Sequence, residues 1–256
     1  MKTKNISQPA LEKHLNEMLD ITHFKDYCPN GLQVQGKKTI KTIITGVTAS
    51  LALIEEAIKH DADAILVHHG WFWKNDDSRI IGQLHTRLKL LMDHDINLFA
   101  YHLPLDQHPQ LGNNIQLAKV LAINVQGQSV ENNLVWYGKP NPIHQKPTLE
   151  QFANYLEKKL QRIPLVIGDQ ERPINKVAWC TGGAQGYIEL AAKLGADVYI
   201  SGEISEQTTH AARELGIAFI SAGHHATERY GVMALGQHLV KELGIKHRFI
   251  DIPNPV

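Results

Sequence analysis

Cysteine is nearly absent: Cys28 and Cys180 are the two thiols in 256 residues, and no C-x-x-C spacing occurs. Two isolated thiols build neither a disulfide framework nor a zinc knuckle, so the chain reads as a protein of a reducing cytoplasm. Net charge is absent too. The 26 basic and 26 acidic residues cancel, which removes the basic excess that drives nonspecific nucleic-acid binding and leaves only a local patch as a route to DNA. No run approaches the ~18 apolar residues that span a bilayer. Residues 1–20 alternate Lys, Asn, Glu and His with apolar residues, unlike a signal peptide, and low-complexity sequence and coiled-coil heptads are missing. What remains, 43% hydrophobic residues at this length, buries a sizeable core in one large domain or two small ones.

Histidine is what the chain has in plenty. Fifteen occur, among them the pairs His68-His69 and His224-His225, the second followed at helical spacing by Glu228. With so many histidines some doublets arise by chance, and a lone histidine is more often structural than a ligand. Adjacent histidines at a strand end can diverge toward two ions, however, and His224 and Glu228, four apart, share one face of a helix. Such a donor set suits divalent zinc, manganese, iron or nickel.

The surrounding pattern places these residues. Residues 9–19 read as an amphipathic helix with Ser7 as its cap. Thr39–Val47 is an apolar, β-branched strand, Leu51–Lys59 a helix, and Ala64–Val67 a second strand running into His68-His69-Gly70. A helix over about 81–94 leads to the strand Asn97–Tyr101, which ends in His102 and Asp106. The second half repeats the plan. Shifted by 134 positions without a gap, residues 40–70 overlay 174–204 with seven identities, including Ile54 on Ile188 and Ala62-Asp63 on Ala196-Asp197. The helix 205–215 and strand 217–221 then lead to Gly223-His224-His225. Residues 126–147, rich in Gly and Pro, look like a connector, and Thr148 with Gln151 makes a capping box for the next helix. The expectation is an α/β protein of two similar, duplicated lobes with mixed sheets, the first comprising residues 1–126 plus 229–256 and the second 127–228.

In open α/β sheets ligands gather at the carboxyl ends of strands. His68 and His69 follow one such end, His102 and Asp106 another, Gly202-Glu203 a third, and His224, His225 and Glu228 a fourth. If duplicated halves face each other, these ends meet in an interlobe cleft holding two ions, one bound by His and Asp of the first half, the other by His of both halves, with Glu228 bridging. Two ions about 3.5–4 Å apart activate a water while neutralising an oxyanion, which suits hydrolysis of phosphate esters or amidine-like ring carbons. The positive charge left on such a site favours an anionic small-molecule substrate. Glu203, aligned with His69, reads either as a proton-transfer or supporting residue or as a helix cap. His225 falls outside the ligand set if His224 and Glu228 share a face. Thr181-Gly182-Gly183 offers backbone N–H groups to a phosphate without the full motif. Asn30-Gly31 reads as a turn, and Trp71, Phe72 and Trp73 as packing residues, a subunit contact or a base-stacking platform.

Nine segments together carry a resemblance: PNGLQV (29–34), GVTAS (46–50), VHHGWFWK (67–74), YHLPLD (101–106), LGNN (111–114), CTGG (180–183), SGEISEQ (201–207), GHHATER (223–229) and FIDIPNP (249–255). Over its full length the chain resembles the bacterial type 2 GTP cyclohydrolase I homologues, or Nif-three-like proteins, in their short form without an inserted domain. The resemblance implies two α/β lobes, a dinuclear metal centre between them and a toroidal homohexamer. It implies His69 and Asp106 on one ion, His68 and His224 on the other, and Glu228 on both, with His102 a supporting or catalytic residue. The expected function is metal-dependent hydrolysis of a nucleotide or related phosphorylated molecule, with His102 and Glu203 as catalytic candidates and two divalent ions per subunit. The competing class is nonenzymatic, a metal-trafficking protein or a ring that threads DNA, and no membrane association is expected.

Overall fold

The computed structural model describes residues 4–131, 133–141 and 146–256. Residues 1–3, and residues 132 and 142–145 of the stretch read as a connector, lie outside these. In chain order the elements through residue 112 are β1 (Ile6–Ser7), α1 (Gln8–Met18), β2 (Gly31–Val34), β3 (Thr39–Ile40), β4 (Thr42–Thr48), α2 (Leu51–Lys59), β5 (Ala64–His69), α3 (Gly82–Asp93), β6 (Asn97–Ala100) and α4 (Leu103–Gln107). There follow α5 (Asn113–Val120), β7 (Ile123–Gln128), β8 (Trp136–Pro140), α6 (Leu149–Leu160), β9 (Leu165–Ile167), β10 (Val177–Trp179), α7 (Ile188–Lys193), β11 (Val198–Ser201), α8 (Glu206–Leu215), β12 (Ala218–Ser221), α9 (His224–Leu243) and β13 (Lys246–Phe249). The chain divides into two compact units, Met1–Gly112 with Gly231–Ile252, and Asn113–Tyr230 with Pro253–Val256. The first boundary thus falls after residue 112, where the sequence reading placed it after 126.

The first unit holds a five-stranded sheet in the order β13-β4-β5-β6-β2, parallel except for the edge strand β2. Its central strands are nearly continuous apolar runs because both faces are covered. Alternate side chains divide between them: Ile44, Ile65, Val67 and Leu98 pack with α2 and α3, whereas Ile43, Leu66 and Phe99 pack with Leu11 and Leu15 of α1 and with Val232, Leu235 and Leu239. Helix α2 takes the bounds its periodicity predicts, and the Ser50 side chain accepts the Leu53 N–H at its start. Ser7 precedes α1 as expected but makes no side-chain cap bond; Pro9, in the first turn, presets the backbone instead.

The second unit holds a six-stranded sheet in the order β7-β8-β10-β11-β12-β9. Strands β10, β11 and β12 are parallel, and β9 flanks β12 antiparallel as β2 flanks β6. The Thr148–Gln151 capping box opens α6. The Gly- and Pro-containing stretch read as a connector is instead built into this sheet: β7 and β8 pair antiparallel, with an irregularity at 125–127 that breaks the two-residue alternation and hid the hairpin from the sequence. Among the described residues no helix is long and apolar enough to cross a membrane.

The duplicated plan reaches atomic detail. Ile43 pairs with Ala64 in the first sheet, and Val177 with Val198 in the second, both displaced by the offset of 134 seen in the sequence. The Asp63 carboxylate accepts the Lys41 and Thr42 N–H groups, and its counterpart Asp197 accepts those of Asn175 and Lys176. These half-buried acceptors fix the start of β4 and β10. Beyond β5 and β11 the offset changes, since Ala64 pairs with Asn97 but Val198 with Ala218, an offset of 121. The difference is the longer loop that follows His69 and carries Trp71, Phe72 and Trp73.

Candidate functional site

In the first unit, β5 extends through the histidine pair, so alternation sends His68 and His69 to opposite sides of the strand end. His68 is fully buried. Its Nδ1–H donates to the Tyr101 carbonyl at 2.9 Å, which fixes the tautomer and turns Nε2 toward Asp106 Oδ1, 3.4 Å away. A lone-pair nitrogen facing a carboxylate needs a proton or a cation between them. His69 Nδ1 is hydrogen-bonded to the Thr48 hydroxyl at 3.2 Å. His102, at the start of α4, has its ring 5.1 Å from that of His68 and 5.9 Å from that of His69. His68, His69 and His102 each offer a ligand atom, all within 4.8 Å of one another. The four first-unit residues singled out in the sequence therefore do come together.

Two residues of this cluster were not read from the sequence as part of a site. Asp26, its side chain 3% exposed, accepts from His102 Nδ1 at 2.7 Å, and Asn30 Oδ1 accepts the His102 backbone N–H at 2.7 Å. Asn30, expected to serve only a turn, thus has a side-chain task, while Gly31 beside it takes φ +113°. Burial alone would raise the Asp26 carboxyl pKa, but bonds from His102, Asn30 and the Tyr27 N–H outweigh it and hold the group below the ordinary carboxylate range. Cys28, nearby, is the reverse: burial, reinforced by the Asp26 charge, pushes its thiol up to about 12, although Asp26, Cys28 and His102 each offer a ligand atom within 4.8 Å of the others.

The loop after His69 divides its aromatics between tasks. Trp71 is buried and donates Nε1–H to the Ala49 carbonyl, a packing role. Trp73 meets the His102 ring edge-on at 5.0 Å, and Phe72 is held at φ +66° with its ring exposed. The same loop lines a cavity of about 520 Å³, with Phe72 and Trp73 on its wall beside charges of both signs: Lys74, Arg87, Asp76, and Arg79 paired with Asp77.

In the second unit the strand end that matches His68-His69 is Gly202-Glu203, and the imidazole comes from α9. His224 Nδ1–H donates to Glu203 Oε1 at 2.6 Å, and its Nε2 lies 3.1 Å from Glu228 Oε2, the pair expected to share a helix face. Burial would depress the His224 pKa, but Glu228, and Glu203 after it, raise it to about 9. Glu203 is not a helix cap, because Ser205 and Thr208 form the capping box of α8. The His225 N–H donates to the Val256 carbonyl.

Two glycines make room for this pair, Gly182 of the Thr181-Gly182-Gly183 turn and Gly202. A Cβ on Gly182 would stand 2.0 Å from Glu228 Oε1 and 3.0 Å from His224 Nε2, and one on Gly202 would strike the His224 backbone at 2.6 Å. Buried Asn114 accepts the Thr181 N–H, and the Thr227 hydroxyl accepts that of Gly182, so the loop is pinned from both sides. Imidazoles with Nδ1 anchored and Nε2 beside a buried carboxylate, in a pocket only glycine leaves open, form a donor set that fits a divalent ion of the zinc-to-manganese range.

The described arrangement has relatives. The family model for Duf34/NIF3 (NGG1p interacting factor 3) matches residues 7–255. A protein of Vibrio cholerae named GTP cyclohydrolase 1 type 2 homolog is 54% identical, over 96% of this chain and 98% of its own. One of the same name from Allochromatium vinosum is 51% identical over 96% of each chain. The solved structure of a protein described as ybgI, of unknown function, matches with TM-score 0.94 at 48% identity, covering 98% of this chain and 100% of that one.

Proposed function

The chain belongs to the Duf34/NIF3 family, and from that premise we propose that it is a metal-dependent hydrolase of a nucleotide or related phosphorylated small molecule. One observation carries the reading: in both units imidazoles are anchored at Nδ1 with Nε2 beside a carboxylate, His68 with Asp106 and His224 with Glu228. In this reading His68 and Asp106 hold one ion, with His69 beside them, and His224 and Glu228 hold the other; the pairing of His69 with Asp106 and of His68 with His224 that the resemblance implies is not adopted, because it is His68 whose Nε2 faces Asp106. Bound divalent ions would neutralise a developing oxyanion and lower the pKa of water, to about 7 for zinc.

The chain's own residues supply the rest. His102 takes a proton at Nε2, the nitrogen its bond to Asp26 leaves open. Glu203 holds His224 and keeps its Nε2 aimed at Glu228. The name carried by the relatives supports a nucleotide among the first to try. The test is a substrate screen of the protein purified with its native metal, reading phosphate and formate release together against His69→Ala. Formate from GTP marks ring opening and phosphate marks ester hydrolysis; either, lost in the variant, supports the proposal. Ions that exchange freely with no turnover of any nucleotide would contradict it and favour a metal-trafficking role.

A further inference from the structure

We propose that Asp26 is the positioning residue that sets the tautomer of His102, and that replacing it by asparagine reverses which ring nitrogen carries the proton. Every acceptor lobe of this carboxylate is engaged. Oδ1 accepts from His102 Nδ1 at 2.7 Å and from the Tyr27 N–H at 2.6 Å, while Oδ2 accepts from the Leu103 N–H and from Asn30 Nδ2, both at 2.9 Å. Asn30 is itself oriented, because its Oδ1 accepts the His102 N–H at 2.7 Å. Four donors on one buried carboxylate leave His102 a single way to bond: it donates from Nδ1 and presents the Nε2 lone pair to the cluster with His68 and His69.

The same geometry dictates what an amide does at position 26. Its NH2 must replace one oxygen. In place of Oδ2 it would face the Leu103 N–H and force Asn30 to turn, which would set the Asn30 amide against the His102 N–H. In place of Oδ1 it faces the Tyr27 N–H and a ring nitrogen that can become an acceptor by moving its proton. The second arrangement leaves fewer donors opposed, so Asp26→Asn places the proton on Nε2 and removes the lone pair from the side of His68 and His69. Volume and shape are unchanged; only the direction of one hydrogen bond is reversed.

This deepens the reading of His102 as the proton acceptor, but its test needs no turnover, so the two fail separately. Long-range 1H–15N spectra of the histidine-labelled full chain, loaded with zinc and held at pH 8, report which nitrogen bears hydrogen, with the His102 signals identified by their loss in His102→Gln. The wild type should show an Nδ1–H ring and Asp26→Asn an Nε2–H ring. Asn30→Ala, which leaves the carboxylate in place, should keep the Nδ1–H form, a contrast that a merely structural role for this loop would not produce. An Nε2–H ring or an imidazolium in the wild type would overturn the proposal. So would an unchanged tautomer in Asp26→Asn whose other histidine signals match the wild type, and should that variant fail to fold, the wild-type spectrum and Asn30→Ala still decide.

Discussion

The two units share one plan and differ where it matters. Strand registers and the Asp63 and Asp197 acceptors match residue for residue, yet the strand end that presents His68-His69 in the first unit presents Gly202-Glu203 in the second. In the first unit the strand itself supplies imidazoles, and a backbone carbonyl orients His68. In the second the strand end is pared to glycine so that α9 can approach, and the aligned position supplies a carboxylate that orients His224. The duplicated fold therefore specifies where donors sit, and the residue at each aligned position specifies whether it offers a donor or holds one.

Substitutions can break or sharpen this contrast. The largest effect should come from Gly182→Ala, which drives a methyl into Glu228 at a φ of +70°. Overpacking and the left-handed backbone together cost about 2–4 kcal/mol, read as a lower urea midpoint with loss of second-unit metal. Next is Glu203→Gln, which keeps shape but removes the charge behind His224; metal affinity should fall about 10–100-fold by competition with a chelating dye. An unchanged affinity would mean that the second unit needs no carboxylate support.

Acid should act on the first unit through His247. Its Nε2 is hydrogen-bonded to the Thr45 hydroxyl, and burial lowers its pKa from 6.5 to about 4. The unfolded chain then binds the proton more readily between these values, so the stability contribution is complete above pH 6.5 and is lost as pH falls toward 4. Unfolding titrations should show about 2 kcal/mol less stability at pH 4.5 than at pH 7 from this residue, a difference that His247→Gln removes. The smallest effect belongs to Asp61, at φ +49°, where the aligned residue is Gly195 at φ +71°. Asp61→Gly should be neutral or stabilising by up to about 1 kcal/mol in thermal unfolding, whereas Gly195→Asp should cost about that much.

The histidine-bearing strand ends were legible because apolar runs that stop at polar residues mark buried parallel strands and their carboxyl ends. The duplication was legible because the aligned Ala-Asp pair preserves a structural acceptor, not merely a helix composition. Asp26 and Asn30 were not legible. They lie in a segment without periodicity, and their partner His102 is 76 and 72 residues away, so only the folded chain makes them neighbours. The β7–β8 hairpin was masked by glycine and proline. Gly182 looked like a phosphate loop because the need for a bare backbone is the same whether the group that approaches it is a phosphate or a glutamate.

The central claim is that the donors of the two units hold divalent ions, His68 with Asp106 in the first and His224 with Glu228 in the second. Elemental analysis of the full chain, equilibrated with zinc and freed of loose metal by gel filtration, tests it most directly. Two equivalents per chain in the wild type and about one in a folded Glu228→Ala variant are the predicted result; a wild type without zinc, or a variant that keeps both equivalents, would contradict it.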